Sequence, residues 1–426
     1  MARRKPRAVS LLLSEGSSLS ARQAISALGP LGYTIDLCDP NPFCLGRFSR
    51  FVRRVYRSPA SGTDPAAYLQ FILRRLEQDR YDVLLPVNEQ AFLFARVQRR
   101  LSVKAGLALA GFDQFALLQS KAAFSRVLTR LDLPRPLTRL VRSRSEIEGL
   151  DGFPYYIKTP FGTAGRGVWR VDHVAERSRV IGLLEEGSFF DGKTDIVVQD
   201  IAPGVQCQAQ ALFEHGRLIA AHCTSQLAVG VGGSQSARLS VDHPVVRSHL
   251  ERIGRHLCWH GAMALDYFFE PAANQPLYIE ANPRLVEPMN AVLSGVNLAD
   301  LLARLSMGES FKNGPVRLGR FGVRSHSLMA TLLGLADQHG TRLKLLGTLG
   351  LALFKKGAYA ESKEDLTPVL TDPAGLIPLS IISLQLLMNP ARARRIAGQT
   401  VSDYSLTQSA IETIYGLEES QGETSR

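Results

Sequence analysis

The chain has 426 residues, 45% of them apolar, with five cysteines and a formal net charge of +11. That length exceeds one ordinary domain and fits roughly two to four packed units, and a mean hydropathy near zero describes a globular chain with ample core. Cys38, Cys44, Cys207, Cys223 and Cys258 are odd in number and form no C-x-x-C pair, which argues against a disulfide framework or a structural zinc site and for a reducing, cytoplasmic compartment.

From the start, Met1–Arg7 is basic, but the apolar run Val9–Leu13 is too short for a secretory h-region and reads as a first β-strand. A small-residue turn, Glu15-Gly-Ser-Ser18, follows, then a helix from near Ser20 to Gly29-Pro30. Tyr33–Cys38 is the next strand, 65–79 a helix and Tyr81–Pro86 another strand. This alternation predicts an N-terminal α/β domain with a doubly wound parallel sheet and sites at the carboxyl ends of its strands. The turn at 15–18 lacks G-x-G-x-x-G and gives no dinucleotide fingerprint.

Charge is uneven. Residues 1–150 carry 24 Lys/Arg against 12 Asp/Glu, a net +12, and the remainder sums to −1. The arginine-rich stretch Arg47–Arg57 interleaves aromatics, a pattern that also suits nucleic acid. No helix-turn-helix, zinc-finger or RNP signature accompanies it, so it reads as a solvated arginine face or an attractor of anionic substrates.

From about 120 to 310, antiparallel strand signals surround a glycine-rich loop. After about 315 the apolar stretches Leu343–Phe354 and Leu379–Met388 are each shorter than the roughly 18–20 residues that span a bilayer. They read as helices packing on the body, with interfacial membrane association through 343–395 as the alternative. The polar tail after Gly416 is expected to fray.

Three stretches carry the chemistry. In Tyr155-Tyr-Ile-Lys158-Thr-Pro-Phe-Gly162-Thr-Ala-Gly165-Arg-Gly167 a lysine ends a strand before a flexible turn. Glycines let backbone N–H groups reach phosphate oxygens, and the lysine adds a point charge there. The hairpin Ala264–Glu270 and Leu277–Arg284 puts Glu280 and Asn282 on one face of a strand, with Asp266 on its partner. Two carboxylates and an amide oxygen suit Mg²⁺ (or Mn²⁺), which draws its other ligands from phosphates and water. Arg284 continues the alternation and can hold a phosphoryl group or a carboxylate bidentately. Between these stretches, Ile196–Gln206 runs from a strand into a turn. Its backbone at Gln199 offers hydrogen bonds to an adenine edge, and Gln206 can bond a ribose hydroxyl.

Taken together and in this order, these elements resemble the ATP-grasp superfamily, in particular its carbamoyl-phosphate-synthetase-like branch, and more distantly carboxylate–amine ligases related to D-aspartate ligase. The resemblance implies an N-terminal α/β domain over 1–115. It implies an ATP-grasp module over 116–312, with a small lobe at about 120–200 and a large lobe at about 201–312, and it leaves 313–426 as a helical C-terminal extension. Ser120-Lys121 resembles the segment bearing the first phosphate lysine, and Lys158 matches the second. Gly162, Gly165 and Gly167 fall in the mobile loop over the phosphates. Gln199, Asp200, Ile201 and Ala202 fall at the adenine position and Gln206 at the ribose position. Asp266, Glu280 and Asn282 fall on the metal positions, and Arg284 lies near the reacting phosphoryl. Two departures stand out: glutamine at 206 where relatives usually carry glutamate, and Glu287 one residue too close to Asn282 to match the catalytic glutamate of biotin carboxylase.

The activity this implies is ATP-dependent ligation, with Lys158 and Arg284 acting on the transferring phosphoryl: a carboxylate becomes an acyl phosphate and passes to an amine, releasing ADP and phosphate. The alternatives are bicarbonate activation through carboxyphosphate, and a non-catalytic nucleotide-binding protein with a membrane-peripheral C-terminal region. Expected partners are ATP, a small carboxylate and an amine, with a homodimer among the arrangements the sequence allows.

Overall fold

The computed structural model describes residues 8–338 and 340–417; the frayed tail expected beyond Gly416 falls almost wholly on 418–426, outside the described residues. Three sheets organise the described residues. The first holds β1 (Ser10–Leu13), β2 (Thr34–Asp39), β3 (Val52–Arg57) and β4 (Val83–Leu85), all parallel, in the order β3-β2-β1-β4. β1 is buried along its whole length, as a central parallel strand must be. Helices return between the strands where caps allow. The Ser18 side chain accepts from the Ala21 N–H to start Leu19–Leu28, and Asp64 caps Pro65–Gln78, whose proline sits in the first turn. Most of the arginine-rich stretch forms β3, the edge strand, and Arg47, Arg50, Arg53, Arg54 and Arg57 are all exposed, as expected of a solvated face. Arg53 donates two hydrogen bonds to Asp36 on β2, at 2.9 and 2.6 Å.

The second sheet, β5 (Thr138–Val141), β6 (Tyr155–Lys158), β7 (Val168–Val171) and β8 (Ile196–Asp200), is antiparallel in the order β5-β8-β6-β7. It packs against the helix Val174–Glu186 around Ile157, Val180, Leu184 and Val198, a core drawn from this lobe alone.

The third sheet is the largest. β9 (Val205–Glu214), β10 (Arg217–Val229), β11 (Gln235–Val241), β12 (Gly261–Glu270) and β13 (Gln275–Asn282) form its antiparallel body in the order β13-β12-β9-β10-β11. Beyond them come β14 (Arg317–Leu318) on β10, β15 (Arg324–His326) on β11, and β16 (Ser362–Glu364) on β15. The stretch expected as a helical extension thus also lends three short strands to this sheet. One apolar interior runs from Leu11, Leu13 and Ile35 of the first sheet into Leu285, Met289 and Leu302, so the first and third sheets are joined through a continuous core.

The helices Leu328–Asp337, Arg342–Leu353, Leu376–Met388, Ala393–Tyr404 and Gln408–Gly416 follow. An ion pair with both side chains fully buried, Arg22 to Asp372 at 2.8 Å, ties this region to the N-terminal helix. Tyr415 sets its ring edge-on against Phe92 and Phe112. Among the described residues no helix is long and apolar enough to cross a membrane, and all five cysteines are free thiols.

Candidate active site

The β12–β13 hairpin fixes the acidic part of the site. Antiparallel register sets Asp266 opposite Glu280 and Ala264 opposite Asn282. The Asn282 amide donates to Asp266 Oδ2 at 2.8 Å, and Gln208 on β9 donates to Asp266 Oδ1 at 2.9 Å. Burial, and then the Glu280 carboxylate, push the Asp266 acid up to about 7. Two facing carboxylates beside an amide oxygen are the hard oxygen donors that a divalent cation takes. Among the described residues no group of three or more His, Cys, Asp or Glu could hold a metal unaided. Asp266, Glu280 and Asn282 offer two carboxylates and an amide, the donor set that suits Mg²⁺ when phosphate oxygens and water supply its other ligands.

The basic part comes from elsewhere in the chain. Lys121 opens the helix Lys121–Arg130, capped by Ser120. Its Nζ lies 3.0 Å from Glu280 Oε1 and donates to the Gly162 carbonyl at 2.9 Å. Its backbone N–H donates to the Pro160 carbonyl at 2.9 Å, so the helix start is stitched to the root of the glycine-rich loop. Lys158 ends β6, and its Nζ donates to Gln199 Oε1 at 2.7 Å. Burial lowers the Lys158 ammonium from 10.5 to about 8; Glu280 and Asp266 oppose that fall and Lys121 adds to it. Two lysines and two carboxylates thus share one field.

The loop between β6 and β7 needs its glycines. Gly162 and Gly167 have φ of 147° and 69°. A Cβ would lie 2.3 Å from the Arg166 carbonyl at Gly162 and 2.1 Å from Thr159 Oγ1 at Gly167. At Gly165, φ is 77° and a Cβ would lie 3.3 Å from the Gly232 carbonyl of the β10–β11 connection. Arg284 Nη2 donates to Thr163 Oγ1 in this loop at 3.3 Å, and its Nη1 sits 3.1 Å from Glu89 Oε1.

The remaining expected residues stand apart from this cluster. Gln199 is buried, its side chain accepting from Lys158 and donating to Thr138 Oγ1 at 3.0 Å, and its backbone lies in register between Thr138 on β5 and Tyr156 on β6. Asp200, Ile201 and Ala202 lie partly or fully exposed at the end of β8. Gln206, half-buried on β9, pairs in register with Phe268. No hydrogen bond among the described residues links Gln206 or 200–202 to the lysines or carboxylates.

Several neighbours had no local signal. Glu89 accepts from Gln119 as well as facing Arg284. Arg238, fully buried on β11, pairs with Glu287 and with Asp365 at 3.5 Å. At the carboxyl edge of the first sheet a crevice is lined by Glu15, Ser17, Asp39, Ser58, Gln90 and Tyr404. Burial and then Asp39 raise Glu15 to about 7. Tyr404 arrives from the C-terminal helix Ala393–Tyr404 and feels the charges of Glu15, Arg284, Glu89 and Glu287. The same helix accepts Arg166 of the glycine-rich loop, at the Gly398 carbonyl (2.9 Å) and Ser402 Oγ (2.8 Å). The alternation Gln206-x-Gln208-x-Gln210 on β9 was one readable hint, since it brings Gln208 to Asp266.

No family model matches the chain. The carbamoyl phosphate synthase large chain of Thermus thermophilus is 24% identical over 373 residues, covering 77% of this chain and 35% of that one; the chain spans about a third of the length of this curated relative. Among solved structures, the biotin carboxylase domain of the Hydrogenobacter thermophilus 2-oxoglutarate carboxylase, in complex with MgADP, ADP and bicarbonate, aligns with a TM-score of 0.58 at 15% identity, over 74% of this chain and 73% of that one. The L-amino acid ligase from Bacillus licheniformis aligns with a TM-score of 0.55 at 14% identity, over 72% and 76%. With its parallel first sheet, its two further sheets and likenesses of this extent, the chain has the ATP-grasp fold.

Proposed function

We propose that this chain is an ATP-dependent ligase that converts a carboxylate to an acyl phosphate and passes the acyl group to an amine, releasing ADP and phosphate. The observation that carries this reading is the convergence of Lys121 and Lys158 on the Asp266–Glu280–Asn282 set, under a glycine-rich loop tied to Arg284.

In this reading residues 1–115 supply the first sheet, 116–312 the nucleotide module and 313–426 the extension. The backbone edge of Gln199, Asp200, Ile201 and Ala202 meets adenine, and Gln206 meets the ribose. Lys121, Lys158 and the N–H groups around Gly162, Gly165 and Gly167 hold the phosphates. Asp266, Glu280 and Asn282 hold Mg²⁺ or Mn²⁺, which when bound neutralises charge on the transferring phosphoryl. A substrate carboxylate oxygen attacks the γ-phosphorus and ADP leaves. A neutral amine then attacks the acyl carbon, phosphate leaves, and the amine gives up a proton. Arg284 stabilises the acyl phosphate and the tetrahedral adduct that follows, and loop closure keeps water from the anhydride. The free cysteines are consistent with a cytoplasmic setting.

The test is stimulation of ADP and phosphate release by pairs of amino acids and small carboxylates, followed by transfer of ¹⁸O from a labelled carboxylate into phosphate. Label appearing in phosphate only when both partners are present is the expected result. ADP release with bicarbonate alone would move the reading to carboxyphosphate chemistry. Tight ATP binding with no release against any pair would make the chain a non-catalytic nucleotide binder.

A further inference from the structure

The helices Arg342–Leu353 and Leu376–Met388 are apolar nearly all the way round. Such a helix is ordinarily enclosed by the rest of the protein. These are not. The first buries only Leu345 and the second only Pro378, Leu379 and Leu386, against a small core centred on Met329 and Leu332. Left in the open are Leu343 (79% exposed), Leu353 (78%) and Phe354 (71%) on one, Ile377 and Leu384 (50% and 59%) on the other, and Leu370 (97%) on the connection. The Arg342 guanidinium at the start of the first donates to the Met388 carbonyl at the end of the second, at 2.7 Å. The start of one thus meets the end of the other, and both pack on Leu328–Asp337, so their exposed apolar side chains are gathered in one region, well beyond scattered single side chains.

The charge around that surface has one sign. Arg342, Lys344, Lys355, Lys356, Arg392 and Arg395 are exposed at the helix ends, whereas between residues 341 and 395 the one exposed acidic side chain is Glu361. Glu364 turns inward onto the Leu328, Leu366 and Thr367 N–H groups. A second copy meeting this face about a two-fold axis would set cations against cations. A surface of anionic headgroups over an acyl layer complements both features. Neither helix can cross a bilayer.

We propose that this face docks the protein on an anionic lipid surface, with the leucines and Phe354 at the headgroup–acyl boundary and the lysines and arginines at the lipid phosphates. The proposal does not depend on the ligase reading.

It is tested by floating the full chain with vesicles of phosphatidylcholine and of a phosphatidylcholine–phosphatidylserine mixture. Binding to the mixture, little to phosphatidylcholine, and weakening with salt are expected. The double variant Lys355→Gln/Lys356→Gln should lower partitioning about thirtyfold, and Leu353→Glu/Phe354→Glu should abolish flotation. Both pairs are exposed, so circular dichroism and ATP binding should be unchanged. Failure of the wild type to float with the mixture overturns the proposal, as does equal flotation of the variants. Concentration-dependent dimers that Leu353→Glu/Phe354→Glu dissolves, without vesicle binding, would overturn it by giving the face to a second copy.

Discussion

Replacing Lys158 by methionine separates the nucleotide contact proposed for this residue from what it does to the fold. Burial holds the ammonium at about 8 in place of 10.5. At about 1.4 kcal/mol per pH unit, the charged lysine opposes folding by about 3 kcal/mol at neutral pH. Because the folded-state value lies below the unfolded one, the unfolded chain holds more protons between those two pH values. Stability of the nucleotide-free protein should therefore rise with pH through that window, and the penalty is complete below it. Methionine keeps the length and removes the charge, but it leaves Gln199 Oε1 without its donor, at a cost of about 1–3 kcal/mol. Lys158→Met should be as stable as the wild type at neutral pH, or more stable by up to about 2 kcal/mol, and its alkaline rise should vanish. MgATP binding should move the other way, weakening at least tenfold as a charge-assisted phosphate contact is lost. Urea unfolding at neutral pH and in the alkaline window, with calorimetric titration of MgATP, reads both. A variant that loses several kcal/mol at neutral pH, or that binds ATP as tightly as wild type, would refute the reasoning.

Glu280→Gln removes one of the facing carboxylates and the partner of Lys121; ADP release should fall by about 100-fold or more with the unfolding midpoint little changed. Arg22→Ala leaves Asp372 buried without its guanidinium and should cost about 3–5 kcal/mol, seen as a lower melting temperature. Tyr404→Ala removes a buried ring from between the C-terminal helix and the first sheet and should cost about 3–5 kcal/mol, read as a lower urea midpoint; an unchanged midpoint would contradict that packing.

What the sequence could disclose follows from how local each pattern is. The strands at 10–13, 34–39 and 83–85 are buried apolar runs between turns, legible because both faces are covered. β3 escaped notice because an edge strand with arginines on its open side mimics a solvated segment. The glycine-rich loop and the Asp266–Glu280–Asn282–Arg284 series are compact in sequence and carry their chemistry in their spacing. Lys121 was reachable only by resemblance, since a lysine at a helix start has no distinguishing pattern. Arg238 faces Asp365 from 127 residues away, and Tyr404 and Glu89 meet the site from opposite ends of the chain. Tertiary contacts of that kind leave no periodicity to read. The two apolar helices were expected to pack on the body, yet their even apolar coverage cannot say which side is covered, and most of it stays open.

The proposed ligase needs two ammonium groups, Lys121 from a helix and Lys158 from a strand, to face one triphosphate. An ATP carrying an acyl group on its terminal phosphate transfers that acyl to lysines lying against the phosphates, and peptide mass spectrometry reads which ones. Labelling of Lys158 and Lys121, both protected by prior MgATP, is the expected result. Labelling confined to lysines elsewhere on the chain, with these two untouched, would contradict it.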